Sequence, residues 1–384
     1  MTRIALYSHD GLGLGHIRRS FVVARALSTL PGGVDLLVLS GAREAASLPR
    51  PRRCDVVTLP GVVKTGSGRY APRELTGLSH RELVALRGSV ATATLRAFAP
   101  DLLVVDRHPG GLDGELLDAL EAVRGRARVV LGLRDVVDEP AAARREWHER
   151  SCSEVLDSSY DAVWVYGDPR VHDPTSHLEI PPRLRSGVQF TGYLARGRDD
   201  SSAGHGPRTL LGLVGGGADG ARLALAFATA AASHGRTADL VLGSQMPGEA
   251  RRTVRAAAEA APRLRVHDFV PDMTPLLDRA AAVVSMGGYN TACEVLDRGL
   301  PTLMVPRVRP RKEQLVRALA LAPWSRITVL DPGGLDADAV ASWVRELDTD
   351  DVVHSGFGPD LDGLRRVREA AGALIDRGGV HVAV

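Results

Sequence analysis

Three cysteines in 384 residues, Cys54, Cys152 and Cys293, are too few and too scattered for a disulfide framework or a Cys-rich zinc site. Their odd number suits a reducing compartment. Aromatic residues are sparse at 4%. Net charge is nearly absent: 48 Lys and Arg face 46 Asp and Glu, a formal +2 without the positive excess of a nucleic-acid binder. No apolar stretch reaches the roughly 18 residues expected of a membrane-spanning helix. The N-terminus enters an apolar strand at once and lacks the cleavage pattern of a signal peptide. A cytoplasmic protein without nucleic-acid partners is expected, with peripheral membrane contact through an amphipathic patch left open.

What remains is ordinary globular material, 44% hydrophobic and 24% charged, in a chain longer than one core usually supports. Two domains follow as the default. Short β-branched runs at 4–8, 35–40, 54–59, 102–106, 128–133 and 162–166 alternate with helical patterns at 17–30, 81–98, 114–123 and 141–156. Strands spaced by helices predict right-handed βαβ units and a mainly parallel sheet. The polar segment 196–207 breaks the alternation and reads as a linker. Strand patterns at 209–214, 239–242, 264–267, 282–285, 302–305 and 326–330, again spaced by helices, then restart it. The expected organisation is an N-terminal domain over 1–195, a linker over 196–207 and a C-terminal domain over 208–384, whose last helix is a candidate to cross back.

Gly11, Gly13 and Gly15, with His16 behind them, lie between the first strand and a helix. Glycines there let backbone approach a ligand and present helix N-terminal amides to an anion. The spacing is not G-x-G-x-x-G, and the only acid near the second strand, Asp35, opens that strand rather than closing it. A nicotinamide dehydrogenase is therefore disfavoured. The loop also lacks the Gly-Lys-Ser/Thr of a P-loop. His16, at a helix start beside the ligand-binding edge of an open α/β sheet, is a candidate general base. The positive helix end would favour its neutral form. Asp106, Arg134 and Asp135, at predicted strand C-termini, are further candidates on this side.

Gly215, Gly216 and Gly217 follow the strand that opens the second half. The run Val283-Val-Ser-Met-Gly-Gly-Tyr-Asn-Thr-Ala-Cys-Glu294 reads as strand, glycine turn and helix, with Gly287 and Gly288 in the turn. Asn290 and Thr291 could cap that helix. Its N-terminus could receive a diphosphate, and Glu294, one turn inward, could grip a vicinal diol.

The stretch from Gly288 to Pro306, with Gln314 beyond it, resembles the donor half of the glycosyltransferase B superfamily. Within it, the stretch is similar to the MurG-like N-acetylglucosaminyltransferases and a branch of predicted glycosyltransferases with a family 28-like C-terminal domain. Gly13-Leu-Gly-His16 resembles the acceptor-side loop of the same enzymes. The resemblance implies an α/β GT-B fold, two Rossmann-like domains facing across a cleft, and a sugar transferred from a nucleotide-diphosphate donor to an acceptor hydroxyl. It implies diphosphate contacts at Gly216 and Gly217, polar contacts at Asn290 and Thr291, and ribose contacts at Glu294. Base reading is implied near Phe269 and Val270, donor-sugar contact at Gln314, and acceptor activation at His16.

Two features depart from the family: Gly217 stands where a serine or threonine is usual, and the loop before Gln314 is unusually basic. Arg307 or Arg309 could pair there with a donor phosphate or a carboxylate. The resemblance implies inversion at the anomeric carbon; metal-independent chemistry without a cofactor is expected, with Asp106 or Asp135 orienting His16. The acceptor class, lipid-linked, small-molecule or carbohydrate, stays open. A same-fold nucleotide-sugar 2-epimerase and a non-catalytic nucleotide-sugar-binding protein are the alternatives. Asp348-Thr-Asp350 has the form of a metal-binding D-x-D but is read as structural, and His148, His172 and His177 form no zinc-like cluster.

Overall fold

A computed structural model of the chain describes residues 1–9, 14–65, 70–198, 208–347 and 358–378. It forms two compact units. The first comprises Met1–Pro169, Asp173–Arg198 and the chain from Asp362 on; the second takes the intervening segment together with Arg170–His172.

The first unit contains strands β1 (Thr2–Tyr7), β2 (Val34–Ser40), β3 (Cys54–Thr58), β4 (Val62–Lys64), β5 (Tyr70–Pro72), β6 (Leu102–Asp106), β7 (Arg128–Arg134), β8 (Ala162–Tyr166) and β9 (Val188–Phe190). Its first helices are α1 (Gly15–Leu27), α2 (His80–Phe98), α3 (Leu117–Val123), α4 (Pro140–Glu149) and α5 (Cys152–Ser159). Seven strands make one sheet in the order β3-β2-β1-β6-β7-β8-β9, every neighbouring pair parallel. Every residue of β6 and of β8 is buried, as expected of parallel strands covered on both faces. That is why these segments read as unbroken apolar runs rather than alternations.

The second unit repeats the plan. Strands β10 (Thr209–Leu213), β11 (Ala238–Val241), β12 (Leu264–His267), β13 (Ala280–Ser285), β14 (Thr302–Met304) and β15 (Ile327–Val329) form a parallel sheet ordered β12-β11-β10-β13-β14-β15. Helices α6 (Ala221–His234), α7 (Gly248–Ala258), α8 (Thr274–Asp278), α9 (Tyr289–Asp297), α10 (Glu313–Leu321) and α11 (Ala337–Glu346) connect and cover it. The last helix, α12 (Gly363–Gly378), belongs to the first unit and packs on α1. Arg366 there donates to the Thr191 carbonyl, and Asp362 pairs with Arg196.

In each sheet the strand order reverses once, between β1 and β6 and between β10 and β13. Connections leave in opposite directions at such a point and open a crevice at the strand C-termini. The expected α/β architecture of two doubly wound sheets is thus present.

Local differences from the sequence reading have identifiable causes. The helix expected over 141–156 is two helices, because Ser151 adopts left-handed backbone at φ 47° between α4 and α5. The helix expected from 114 begins at Leu117, since Asp113 and Gly114 both have positive φ. The segment read as a loop after β3 contains the antiparallel pair β4–β5, and the short edge strand β9 went unread. The proposed linker lies mostly outside the described residues, as do Asp348 and Asp350. Among the described residues, no helix is long and apolar enough to cross a membrane.

A buried polar network braces the connection after β6. Arg87 of α2 and Glu115 are both fully buried and joined by two hydrogen bonds, Nε to Oε2 at 2.5 Å and Nη2 to Oε1 at 2.9 Å. Tyr7 donates to Glu115 Oε1 at 2.6 Å and accepts from the Leu112 amide at 3.0 Å. Arg87 also donates to the Pro60 carbonyl at 2.5 Å. The network ties the end of β1, helix α2 and the 107–116 segment together.

Candidate functional site

The reversal between β1 and β6 determines which side chains meet in the first unit. His16 is the second residue of α1, entered from the C-terminal end of β1, and Asp106 is the last residue of β6. Because β1 and β6 are parallel neighbours, residues 90 positions apart come into contact: His16 Nδ1 hydrogen-bonds Asp106 Oδ2. Arg19, one helical turn beyond His16, donates to Asp106 Oδ1 through Nε at 3.2 Å and Nη2 at 2.5 Å. All three side chains are buried.

Burial pushes the Asp106 carboxyl up, but Arg19 and His16 outweigh it and hold the acid well below the usual carboxylate range. For His16, burial pushes the imidazole down to about 3. Asp106 pulls the other way, while Arg19 and Arg134 add to the fall. Burial is thus the largest of these causes of a neutral His16. Nδ1 lies against both Asp106 and Arg19 Nη2, the latter at 2.9 Å; the ionised Asp106 favours the imidazole proton on that nitrogen, which leaves Nε2 with a lone pair. Asp135 is buried at the end of the neighbouring β7, where its carboxylate accepts from the Val136 amide at 2.7 Å. Asp106 is the acid in contact with His16.

Two further histidines complete this corner. The His9 ring stands edge-on to His16, centroids 5.3 Å apart, and to His108 at 4.9 Å. Burial lowers both, His9 well below the ordinary histidine value and His108 to about 4, with neighbouring charged and imidazole groups, Arg107 among them, reinforcing the fall. Arg107 Nε donates to His108 Nε2 at 2.9 Å, whereas Nδ1 of His9 and of His108 are buried without a hydrogen-bond partner. Sequence reading missed Arg19, His9 and His108. The rule that found Asp106, polar residues just past strand C-termini, also covers His9 and His108, and the i+3 spacing from His16 covers Arg19. Gly15 is the first residue of α1, and Gly11 and Gly13 lie outside the described residues. Among the described residues no group of three or more His, Cys, Asp or Glu could hold a metal ion.

The three buried neutral imidazoles give a pH dependence. Below pH 6.5 the unfolded chain binds protons that these histidines refuse while folded, so stability falls as pH drops from 6.5 toward 4. The slope is up to about 1.4 kcal/mol per pH unit for each histidine. Urea denaturation of the first unit at pH 7 and pH 5 should differ by more than about 2 kcal/mol. Equal stability at both pH values would mean that the imidazoles take up protons in the folded state.

In the second unit the nominated residues gather at the C-terminal ends of β10, β12, β13 and β14. Gly215, Gly216 and Gly217 follow β10. Gly217 has φ 91°, its amide donates to the Val214 carbonyl at 3.2 Å, and a Cβ there would overlap the Leu242 carbonyl oxygen. Its lack of a side chain is therefore demanded by its own chain. The Gly216 carbonyl accepts from the Gln245 amide at 2.8 Å. Gly215 is exposed, with open space where a side chain would stand. Phe269 and Val270, both half-buried, lie just past β12.

After β13, Gly287 turns at φ 72° and donates to Ser285 Oγ at 3.2 Å, and Gly288 is the N-cap of α9. No side chain caps that helix. Asn290 and Thr291 are its second and third residues rather than caps, which corrects the sequence reading. The buried Arg317 secures the turn, donating to the Gly287 carbonyl at 3.3 Å and lying over the Tyr289 ring at 5.6 Å. Glu294 is half-buried in the second turn of α9. In the loop after β14, Arg307 pairs with Asp219 and Glu313, and its amide donates to Gln314 Oε1 at 2.9 Å. Arg309 is exposed.

Comparison with known proteins accords with this layout. Residues 213–349 match the glycosyltransferase family 28 C-terminal domain. A UDP-N-acetylglucosamine--N-acetylmuramyl-(pentapeptide) pyrophosphoryl-undecaprenol N-acetylglucosamine transferase of Klebsiella pneumoniae subsp. pneumoniae is 30% identical over 167 residues, 42% of this chain and 47% of that protein. The chain spans about half the length of the curated relatives it matches. Among solved structures, Acinetobacter baumannii MurG superposes with a TM-score of 0.55 at 14% identity, covering 99% of this chain and 100% of that one. A candidate UDP-N-acetylglucosamine 2-epimerase of Listeria monocytogenes gives a TM-score of 0.65 at 11% identity over 98% and 97% of the two chains. Residues 213–349 thus carry a match to the glycosyltransferase family 28 C-terminal domain, in a chain whose fold is shared with solved glycosyltransferases.

Proposed function

We propose that the protein is a glycosyltransferase that uses a nucleotide-diphosphate sugar, with donor contacts in the second unit and the acceptor's base, His16, in the first. The observation that carries this reading is the buried His16–Asp106–Arg19 group at the first sheet's reversal point. Asp106 orients a neutral imidazole whose Nε2 is a proton acceptor, and Arg19 keeps Asp106 ionised. Nε2 takes the acceptor hydroxyl's proton as its oxygen attacks the anomeric carbon. The bond to the departing diphosphate breaks from the opposite side, so one displacement inverts the configuration. The amides of Gly215 and Gly216 and the uncapped start of α9 receive the charge that gathers on the leaving group.

The direct test is a panel of nucleotide sugars screened for thermal stabilisation, then acceptors screened with the best donor. Transfer should persist in excess chelator, since backbone amides are assigned the leaving group's charge. Loss in chelator with recovery on adding Mg²⁺ or Mn²⁺ would overturn that assignment. Conversion of the donor to an epimer with no acceptor present would replace the transferase reading altogether. Glu294→Ala should weaken donor affinity by about 1–3 kcal/mol, the scale of lost charge-assisted hydrogen bonds, with little change in stability. Calorimetric titration reads both the affinity and its loss, and an unchanged affinity would remove Glu294 from the ribose role.

A further inference from the structure

Arg307 stands between two acids from different parts of the second unit. Its Nη1 contacts Asp219 Oδ2 at 3.1 Å, across 88 residues of sequence, and its Nη2 contacts Glu313 Oε1 at 2.6 Å. Its backbone amide is fastened to Gln314 Oε1 at 2.9 Å, and its Nε is buried without a partner. Burial lowers the pKa of Arg307, but Glu313 and Asp219 more than compensate and leave it raised. Both terminal nitrogens thus already serve carboxylates. Glu313, at the start of α10, is buried, while Asp219 is 44% exposed in its side chain.

The place of Asp219 makes this arrangement informative. It lies two residues past Gly217, in the loop whose amides are assigned to the donor's diphosphate. An uncompensated carboxylate there would repel the dianionic ligand, most strongly at low ionic strength. The repulsion would oppose the attraction of the glycine amides and of the nearby helix start.

We infer that Arg307 is a positioning residue that neutralises Asp219 and ties the glycine loop to α10, making the loop receptive to a nucleoside diphosphate without touching it. The inference rests on the donor reading above. It replaces the phosphate-pairing role suggested by sequence with an indirect one, and the two roles differ in a measurable way. If Arg307 contacts phosphate, removing Asp219 cannot compensate for its loss. If it neutralises Asp219, removing that acid should.

The test is a double-mutant cycle read by calorimetric titration with UDP and dTDP at two ionic strengths. Arg307→Met should weaken binding by about tenfold or more, with the larger effect at low salt. Asp219→Asn alone should change affinity by less than about threefold, because the acid is already neutralised. In the Arg307→Met background, Asp219→Asn should restore affinity to within about threefold of wild type. Because Arg307→Met leaves Glu313 buried and unpaired by it, the cycle is repeated with Glu313→Gln in both backgrounds, so that a folding defect cannot pass for a binding one. Weak binding that Asp219→Asn does not restore, or an Arg307→Met protein that binds like wild type, would overturn the inference. Wild-type protein that binds neither of these, nor GDP, ADP or CDP, would overturn the donor reading and this inference with it.

Discussion

His16→Ala is expected to lower turnover by about 10²–10⁴-fold, the range for losing a positioned proton acceptor. Nucleotide affinity should hardly move, because donor contacts are assigned to the other unit. The pH profile adds a second readout. With the imidazole pushed down to about 3 by burial, the acid-side fall in kcat/KM should lie well below the ordinary histidine value of about 6.5. Between pH 5 and 7 the wild-type rate should therefore be nearly flat with respect to this group. A limb near pH 6.5 would mean that the catalytic base is a more exposed histidine or that substrate restores solvent to His16. Near-normal turnover in His16→Ala would make the residue structural and send the search to Asp106 or Asp135. Normal chemistry with poor nucleotide binding would mean that the α1 loop serves the donor.

The largest stability effect is expected at Arg87. Both members of the Arg87–Glu115 pair are fully buried, so Arg87→Met strands a carboxylate in the interior and should destabilise the first unit by about 3–5 kcal/mol. Arg87→Met/Glu115→Gln removes both charges and should recover most of that loss. Urea denaturation of the three proteins gives the comparison. A single-mutant cost below about 1 kcal/mol would show that Glu115 takes up a proton or finds water instead. Because Tyr7 and the Leu112 amide belong to the same network, the single mutant should also loosen the segment that carries His108. Faster amide exchange across 107–116 would register this.

The sheets were legible because fully buried parallel strands leave short β-branched runs that little else produces, as in Leu102–Asp106 and Ala162–Tyr166. Boundaries failed where backbone geometry, not side-chain pattern, decides. Ser151 and Asp113 are poor advertisements for left-handed conformation, and both end or delay a helix. In the candidate site, His16 and Asp106 could each be found from their place beside a strand end. Their contact could not, since it depends on β6 lying next to β1, a fact of strand order rather than of local sequence. Arg19 was invisible for the same reason: an arginine on an amphipathic helix reads as surface until its partner is known. Gly217 shows a different limit. A glycine assigned to ligand approach is also needed for packing against the Leu242 carbonyl, and spacing alone cannot separate these two demands.

The return of α12 to the first unit also has a consequence for how the chain becomes a folded molecule. The unit begun first during synthesis gains that helix only after the whole of the second unit has been made. In the finished fold Leu194 bridges to Asp362, so the two ends of the inserted segment must meet. A disordered insert of that length would oppose the meeting entropically, whereas a folded one shortens the effective loop. The second unit can fold as a body while the first waits with the α1 face uncovered. Until α12 arrives, that face stands open to the solvent, a period of vulnerability written into the order of the sequence.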